Sequence, residues 1–172
     1  MTKQHGFSLI ELLVVVGIIL TIAAIAIPNV LRARMAANEA AAVSSIATIN
    51  TAMVAYNSNY PTIGFPPNLA ALGGTCDTPT AIPTSTAACL IDSSLAQGTK
   101  SGYTFVATGA STLPAGSYEA YANPMTANIT GVHSFCSIQD GVVRETGTTA
   151  ISSCGGTEPS SGGAVPIETV NH

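Results

Sequence analysis

The stretch GFSLIELLVVVGIILTIAAIAIPN, residues 6–29, constrains this chain more than any other. From Leu12 to Ile27 it holds no charge, and a helix from Phe7 to Leu31 would be about 37 Å long at 1.5 Å per residue, enough to cross a hydrocarbon layer of ~30 Å. Inside the run sits one acid, Glu11. A carboxylate in lipid costs roughly 2.5 to 3.5 kcal/mol on insertion scales, so such a group marks function and calls for a partner. Lys3 and Arg32 stand near the two ends of the run, neither within a helical turn of Glu11. The partner is therefore expected outside this helix.

Two simpler readings fit less well. A secretory signal would use Lys3 as its basic residue and Ala24 to Ala26 as its cleavage site, but Glu11 then lies where such a signal wants no charge and Pro28 follows the cut too closely. A plain membrane anchor explains neither Glu11 nor the abrupt boundary at His5-Gly6-Phe7.

Downstream of the run the chain changes character. Charged residues are only 8% of the whole and the net charge is −4, with Lys100 and Arg144 the only basic residues beyond Arg34. No basic surface for nucleic acid is expected. The four cysteines, Cys76, Cys89, Cys136 and Cys154, all follow the apolar run, and in a chain that begins like an exported protein they read as disulfides. Of the three possible pairings, Cys76–Cys89 and Cys136–Cys154 are favoured, because each closes a local stretch rich in Pro, Gly, Ser and Thr that has little else to order it. The gaps are too wide for a zinc site, and His5, His133 and His172 show no ligand spacing.

Past Pro28, Val43, Ile46, Ile49, Met53, Tyr56 and Tyr60 recur at steps of three and four, one face of an amphipathic helix that should end near Asn57 to Tyr60, before Pro61. Residues 61–100 read as a long connection with a short helix around Leu69 to Leu72. Strands are expected at SGYTFVAT (101–108), at GSYEAYANP (116–124) and on either side of the Asp140-Gly141 turn in VHSFCSIQDGVVRET (132–146). Three or four antiparallel strands closing over the helix stripe make an α+β fold. The boundaries are then 1–6 for a leader, 7–30 for the apolar helix, 31–60 for the amphipathic helix, 61–100 for the connection, 101–151 for the sheet and 152–172 for a Cys-pinned loop and flexible tail.

The same N-terminal residues resemble the class III signal of type IV pilins and of the type II secretion pseudopilins: a short leader with Lys3, Gly6 before the cut, Phe7 after it, Glu11 at the fifth mature position and an apolar run ending in Pro28. The resemblance covers roughly the first third of the chain and the remainder in outline only. It implies a type IV pilin-like fold, cleavage between Gly6 and Phe7 by a prepilin peptidase that also methylates the new Phe7 amine, and an inner-membrane prepilin that a pilus assembly machinery builds into an extracellular homopolymer. In such filaments the acid equivalent to Glu11 pairs with the N-terminal ammonium of a neighbouring subunit, which sets register in an otherwise featureless apolar interface. Gly17 and Pro28 join Glu11 as assembly residues: both weaken the helix between them, allowing it to unwind partly, while Gly17 also permits close helix packing.

No enzyme is expected. The sequence lacks Walker, Rossmann, G-x-S-x-G and H-E-x-x-H patterns, and neither cofactor nor metal is implied; Asp77, Asp92 and Asp140 are too scattered for a calcium loop. Asn128 heads a glycosylation sequon that reads as chance in such a chain. Conduction along stacked aromatics is disfavoured, since none occurs between Phe7 and Tyr56. The expected function is a pilus subunit serving adhesion, motility or DNA uptake, with a type II secretion pseudopilin as the alternative; two disulfides and a free tail favour the former.

Overall fold

A computed structural model describes residues 7–74, 82–148, 150–154 and 165–166. The chain divides into two units, Met1–Arg34 and Met35–His172. Helix α1 covers Leu9–Asn59, with Pro28 inside it. Its end falls where Pro61 requires, because the residue before a proline is pushed out of the helical region.

In the second unit the stripe of α1 forms the core. Ile46, Ile49 and Met53 have no exposed surface and Tyr56 is 1% exposed, while Val43 and Tyr60 pack at the margin. Against them lies an antiparallel sheet of six strands among the described residues, β1 Thr99–Lys100, β2 Tyr103–Gly109, β3 Tyr118–Pro124, β4 Ser134–Ile138, β5 Arg144–Thr146 and β6 Val165–Pro166, with spatial order equal to chain order. Alternation decides which side chains reach the helix: Tyr103, Phe105 and Ala107 are buried while Thr104 and Val106 turn outward. Tyr118, Ala120, Ala122 and Phe135 complete the layer.

One buried polar side chain joins helix to sheet. Asn50 donates through Nδ2 to Ser137 Oγ at 2.9 Å and to the Gly141 carbonyl at 3.1 Å, and its Oδ1 accepts from the Tyr118 hydroxyl at 3.1 Å. Three contacts satisfy the amide, so its burial adds specificity without an orphaned dipole. Burial pushes the Tyr118 phenol up to about 12, with Asp140 contributing second.

The connection 61–100 is more ordered than its composition predicts. A 3-10 helix, Leu69–Leu72, starts on the Asn68 side chain, and a further short helix, α2 Ser93–Ala96, is capped by Asp92, whose Oδ1 accepts from Leu95 N–H at 3.0 Å. Strand β1 also lies in this segment, and β6 lies in the segment expected to be a flexible tail, so the sheet exceeds the three or four strands expected. Two-residue strands are too short to carry a period-two pattern; β1 is defined only by its pairing with β2 across the turn at Ser101-Gly102, and β6 only by its pairing with the more distant β5. The Asp140-Gly141 turn appears between β4 and β5, closed by Gly141 N–H to the Ile138 carbonyl at 2.9 Å. Gly141 has φ +72°, a left-handed conformation that glycine adopts at little cost.

Candidate functional site

The first unit presents a continuous apolar surface. Between Phe7 and Leu31, sixteen large apolar side chains are exposed, from 46% at Val16 to 80% at Phe7 and Leu9. Scattered exposed leucines mean little, but a run of this size has to be covered by lipid or by protein. An 18-residue window of α1 has a mean hydropathy of 2.9, with none of it buried in the chain itself. The helix is therefore long and apolar enough to cross a membrane by length and composition.

Glu11 has a partner within its own chain. Its Oε2 accepts from the Ser8 backbone N–H at 2.9 Å, just ahead of Leu9, the first residue of α1. Ser8 is thus the residue before the helix and Glu11 the third residue in it, so the carboxylate reaches back to one of the four N–H groups that a helix start leaves unpaired. A negative group in the first turn also faces the positive end of the helix dipole. The pattern Ser8-x-x-Glu11 is legible in the sequence as half of a capping box, and reasoning about membrane cost alone passes over it. One bond leaves the carboxylate most of its acceptor capacity, since an ionised carboxylate offers about four lone-pair positions.

Phe7 stands two residues ahead of the first residue of α1, exposed, while Gly6 on the other side of the expected cut lies outside the described residues. A side-chain carbon added at Gly17 would meet nothing within 4 Å, so open space surrounds that face of the helix. Four residues beyond Gly17, the Thr21 hydroxyl donates to the Ile18 carbonyl at 2.8 Å, which satisfies a polar group without leaving the helix. Pro28 sits within unbroken helix and withdraws the N–H that the Ala24 carbonyl would have accepted. Glu11, Gly17 and Pro28 thus share one helix but do not converge on one pocket.

Cys136 and Cys154 are bonded, with Cα atoms 5.5 Å apart and a sequence separation of 18. Cys89 is disulfide-bonded, and Cys76, its expected partner, lies outside the described residues. The segment ahead of Cys154 is also tied to β3: Asn123 donates to the Ile151 carbonyl at 2.8 Å and accepts from Ile151 N–H at 2.9 Å, and Glu119 accepts from Cys154 N–H at 3.1 Å.

Two of the acids considered for calcium, Asp92 and Asp140, are each paired with a basic side chain. Asp92 pairs with Lys100 at 2.8 Å and Asp140 with Arg144, and the Lys100 and Arg144 hydrogen bonds hold these two carboxyls below the usual range. Asp77 lies outside the described residues. Among the described residues no group of three or more His, Cys, Asp or Glu side chains is placed to hold a metal. Asn128 occupies an exposed turn with φ +60°, a conformation that asparagine tolerates better than most residues.

Residues 1–27 match the family model described as the prokaryotic N-terminal methylation motif. No curated protein and no solved structure matches the chain. The motif is the class III signal of type IV pilins and pseudopilins; it indicates a chain of one of these two kinds and implies processing by a prepilin peptidase.

Proposed function

We propose that the chain is the structural subunit of a type IV pilus, inserted in the inner membrane as a prepilin, cut between Gly6 and Phe7, methylated on the Phe7 amine and polymerised through Phe7–Leu31 into a surface filament. The observation that carries this reading is the uncovered apolar half of α1 within a methylation motif, with Glu11 as the one acid among its apolar side chains.

Such a helix has two environments in succession. In the membrane, lipid covers the sixteen apolar side chains, and the Ser8 N–H meets part of the demand of Glu11. In the filament, neighbouring helices replace lipid, and cleavage has created an α-ammonium at Phe7 that no intact prepilin possesses. An ammonium at the right axial height pairs with the acceptor positions that Ser8 leaves open, removing the penalty of an uncompensated charge in a medium of low dielectric. Because lipid is as apolar as the side chains, apolar burial does not itself distinguish one axial register from another. The ion pair does. Cleavage is thus the step that makes the subunit competent to assemble, and methylation leaves the amine its positive charge.

Gly17 and Pro28 supply compliance to the helix between them, and the two disulfides, Cys76–Cys89 and Cys136–Cys154, staple segments of the headgroup that face the exterior. The partners are copies of the same subunit, the peptidase and methyltransferase, and the assembly machinery; the role is structural, without cofactor. Imaging of sheared cell surfaces together with mass spectrometry of the recovered protein tests this. Filaments whose subunit begins at N-methylated Phe7 are the expected outcome. A mature N-terminus at Ile27 or an intact Met1 overturns the processing step, and a subunit found only in periplasmic stubs that accompany protein export makes it a secretion pseudopilin.

A further inference from the structure

The loop 125–133, between β3 and β4, is fastened to α1 at two adjacent helix positions. Asn38 donates to the Thr130 carbonyl at 2.8 Å, and Glu39 Oε1 accepts from the backbone N–H groups of Val132 at 2.7 Å and His133 at 3.3 Å. The ring of His133 then lies between two carboxylates on different elements: Nδ1 is 3.6 Å from Glu39 Oε2 on α1, and Nε2 is 3.4 Å from Glu145 Oε1 on β5. From β2, the Tyr103 hydroxyl donates to the His133 carbonyl at 2.8 Å. Burial above all, with Glu39 and Glu145 adding to it, pushes the Tyr103 phenol well up, so this hydroxyl stays neutral and keeps donating at any ordinary pH. Glu39, Glu145 and Tyr103 are the titratable groups that face His133 from the packed elements. Among the described residues neither glutamate has an ion pair with any other cation: Lys100 is paired with Asp92 and Arg144 with Asp140.

We propose that Glu39, His133 and Glu145 form a clasp that tightens in acid, fastening the 125–133 loop at once to α1 and to β5. The chemistry follows from the donor inventory. A neutral imidazole carries one N–H, so it serves one carboxylate and turns a lone pair toward the other; a protonated imidazole carries two and serves both. Protonation therefore converts one repulsive contact into an attractive one and strengthens the second by charge. Imidazoles change charge between about pH 5 and 8, the range a surface protein meets. The loop so held displays Met125 and Ile129, 58% and 68% exposed, and the clasp governs how firmly that apolar turn is presented.

The test is denaturant unfolding of the mature full-length chain in detergent at about pH 5.5 and pH 8, comparing wild type, His133→Gln and Glu145→Gln. Each exposed ion pair is worth a factor of roughly 1.5 to 5 in the unfolding equilibrium. Wild type should gain that factor for one or both pairs at the lower pH, beyond any change that His133→Gln shows; Glu145→Gln, which keeps only the Glu39 contact, should fall between them. His172 remains in all three chains and cancels. Should His133→Gln fail to fold, nitrogen NMR of the wild-type ring decides: two N–H protons slow to exchange at the lower pH are expected. An identical pH response in wild type and His133→Gln, or ring protons that exchange freely at the lower pH, overturns the clasp.

Discussion

Residues 9–31 and residues 42–56 belong to the same helix, share a richness in aliphatic side chains, and meet opposite fates. Ile18, Ile19 and Ile22 are more than half exposed, whereas Ile46 and Ile49 are wholly covered. Helix formation is therefore not what separates them. The second stretch is apolar on one stripe and finds its cover in its own chain; the first is apolar on every side, and no single sheet could cover it. Where a chain spends its apolar side chains all round a helix, the completed structure lies outside the chain.

The largest effect that would break this contrast comes from Glu11. On the proposed pairing, Glu11→Val should leave membrane level and headgroup folding unchanged while filament yield collapses, since removing one member of a buried pair costs about 3 to 5 kcal/mol, a factor of at least about a hundred in each subunit addition. Normal yield of sheared filaments from the mutant alone would remove the pairing account; loss of the protein from the membrane would give Glu11 a role in insertion instead. Ile49→Ala tests the other half. It should destabilise the headgroup by about 2 to 5 kcal/mol, read from the denaturant midpoint, with insertion untouched. A smaller loss, about 3 kcal/mol on the chain-entropy estimate for a loop of this length, is expected when Cys136 and Cys154 are both replaced by Ser. Asn50→Ala should cost about 1 to 3 kcal/mol, because Tyr118 then loses a buried acceptor; a shift near zero would mean that water replaces the amide.

The smallest effect concerns acid. Arg144 holds the Asp140 carboxyl below its ordinary range, so the pair stabilises the fold above the unfolded carboxylate value and the contribution is lost as pH falls through the lower folded one, below about pH 4. Asp140→Asn should flatten that part of the stability profile slightly, since both side chains are partly exposed. At the alkaline end the sign reverses. The raised Tyr118 phenol makes the headgroup lose stability between about pH 10 and 12, and Tyr118→Phe should make that slope shallower, leaving the share that comes from the raised Tyr103 phenol.

How much of this was readable in advance depended on whether the signal was periodic. The stripe from Ile46 to Tyr56 and the alternation in β2 repeat at the spacing of their element, and both stood out. The Asp140-Gly141 turn did so through residue chemistry. By contrast β1 and β6 carry two residues each, and α2 rests on one Asp92 cap in a stretch dominated by Ala, Ser and Thr. At the site, the expectation that Glu11 needed a partner elsewhere came from membrane energetics; its bond to Ser8 came from helix-end geometry, which the same four residues already encoded. The Glu39, His133 and Glu145 cluster gave no sequence signal, because its members lie on three elements and only the fold brings them within 4 Å.

The sheet's strand order carries a consequence for how the headgroup is made. A chain is synthesised from its amino end, and here each strand is hydrogen-bonded to the one made just before it, from β1 through β6. No strand has to wait for a partner not yet made. Helix α1 emerges before all of them, so the surface on which the sheet condenses is present from the start, and each hairpin from β1 to β5 closes over a short connection with little loss of chain freedom. The headgroup is laid down in the order in which it is delivered.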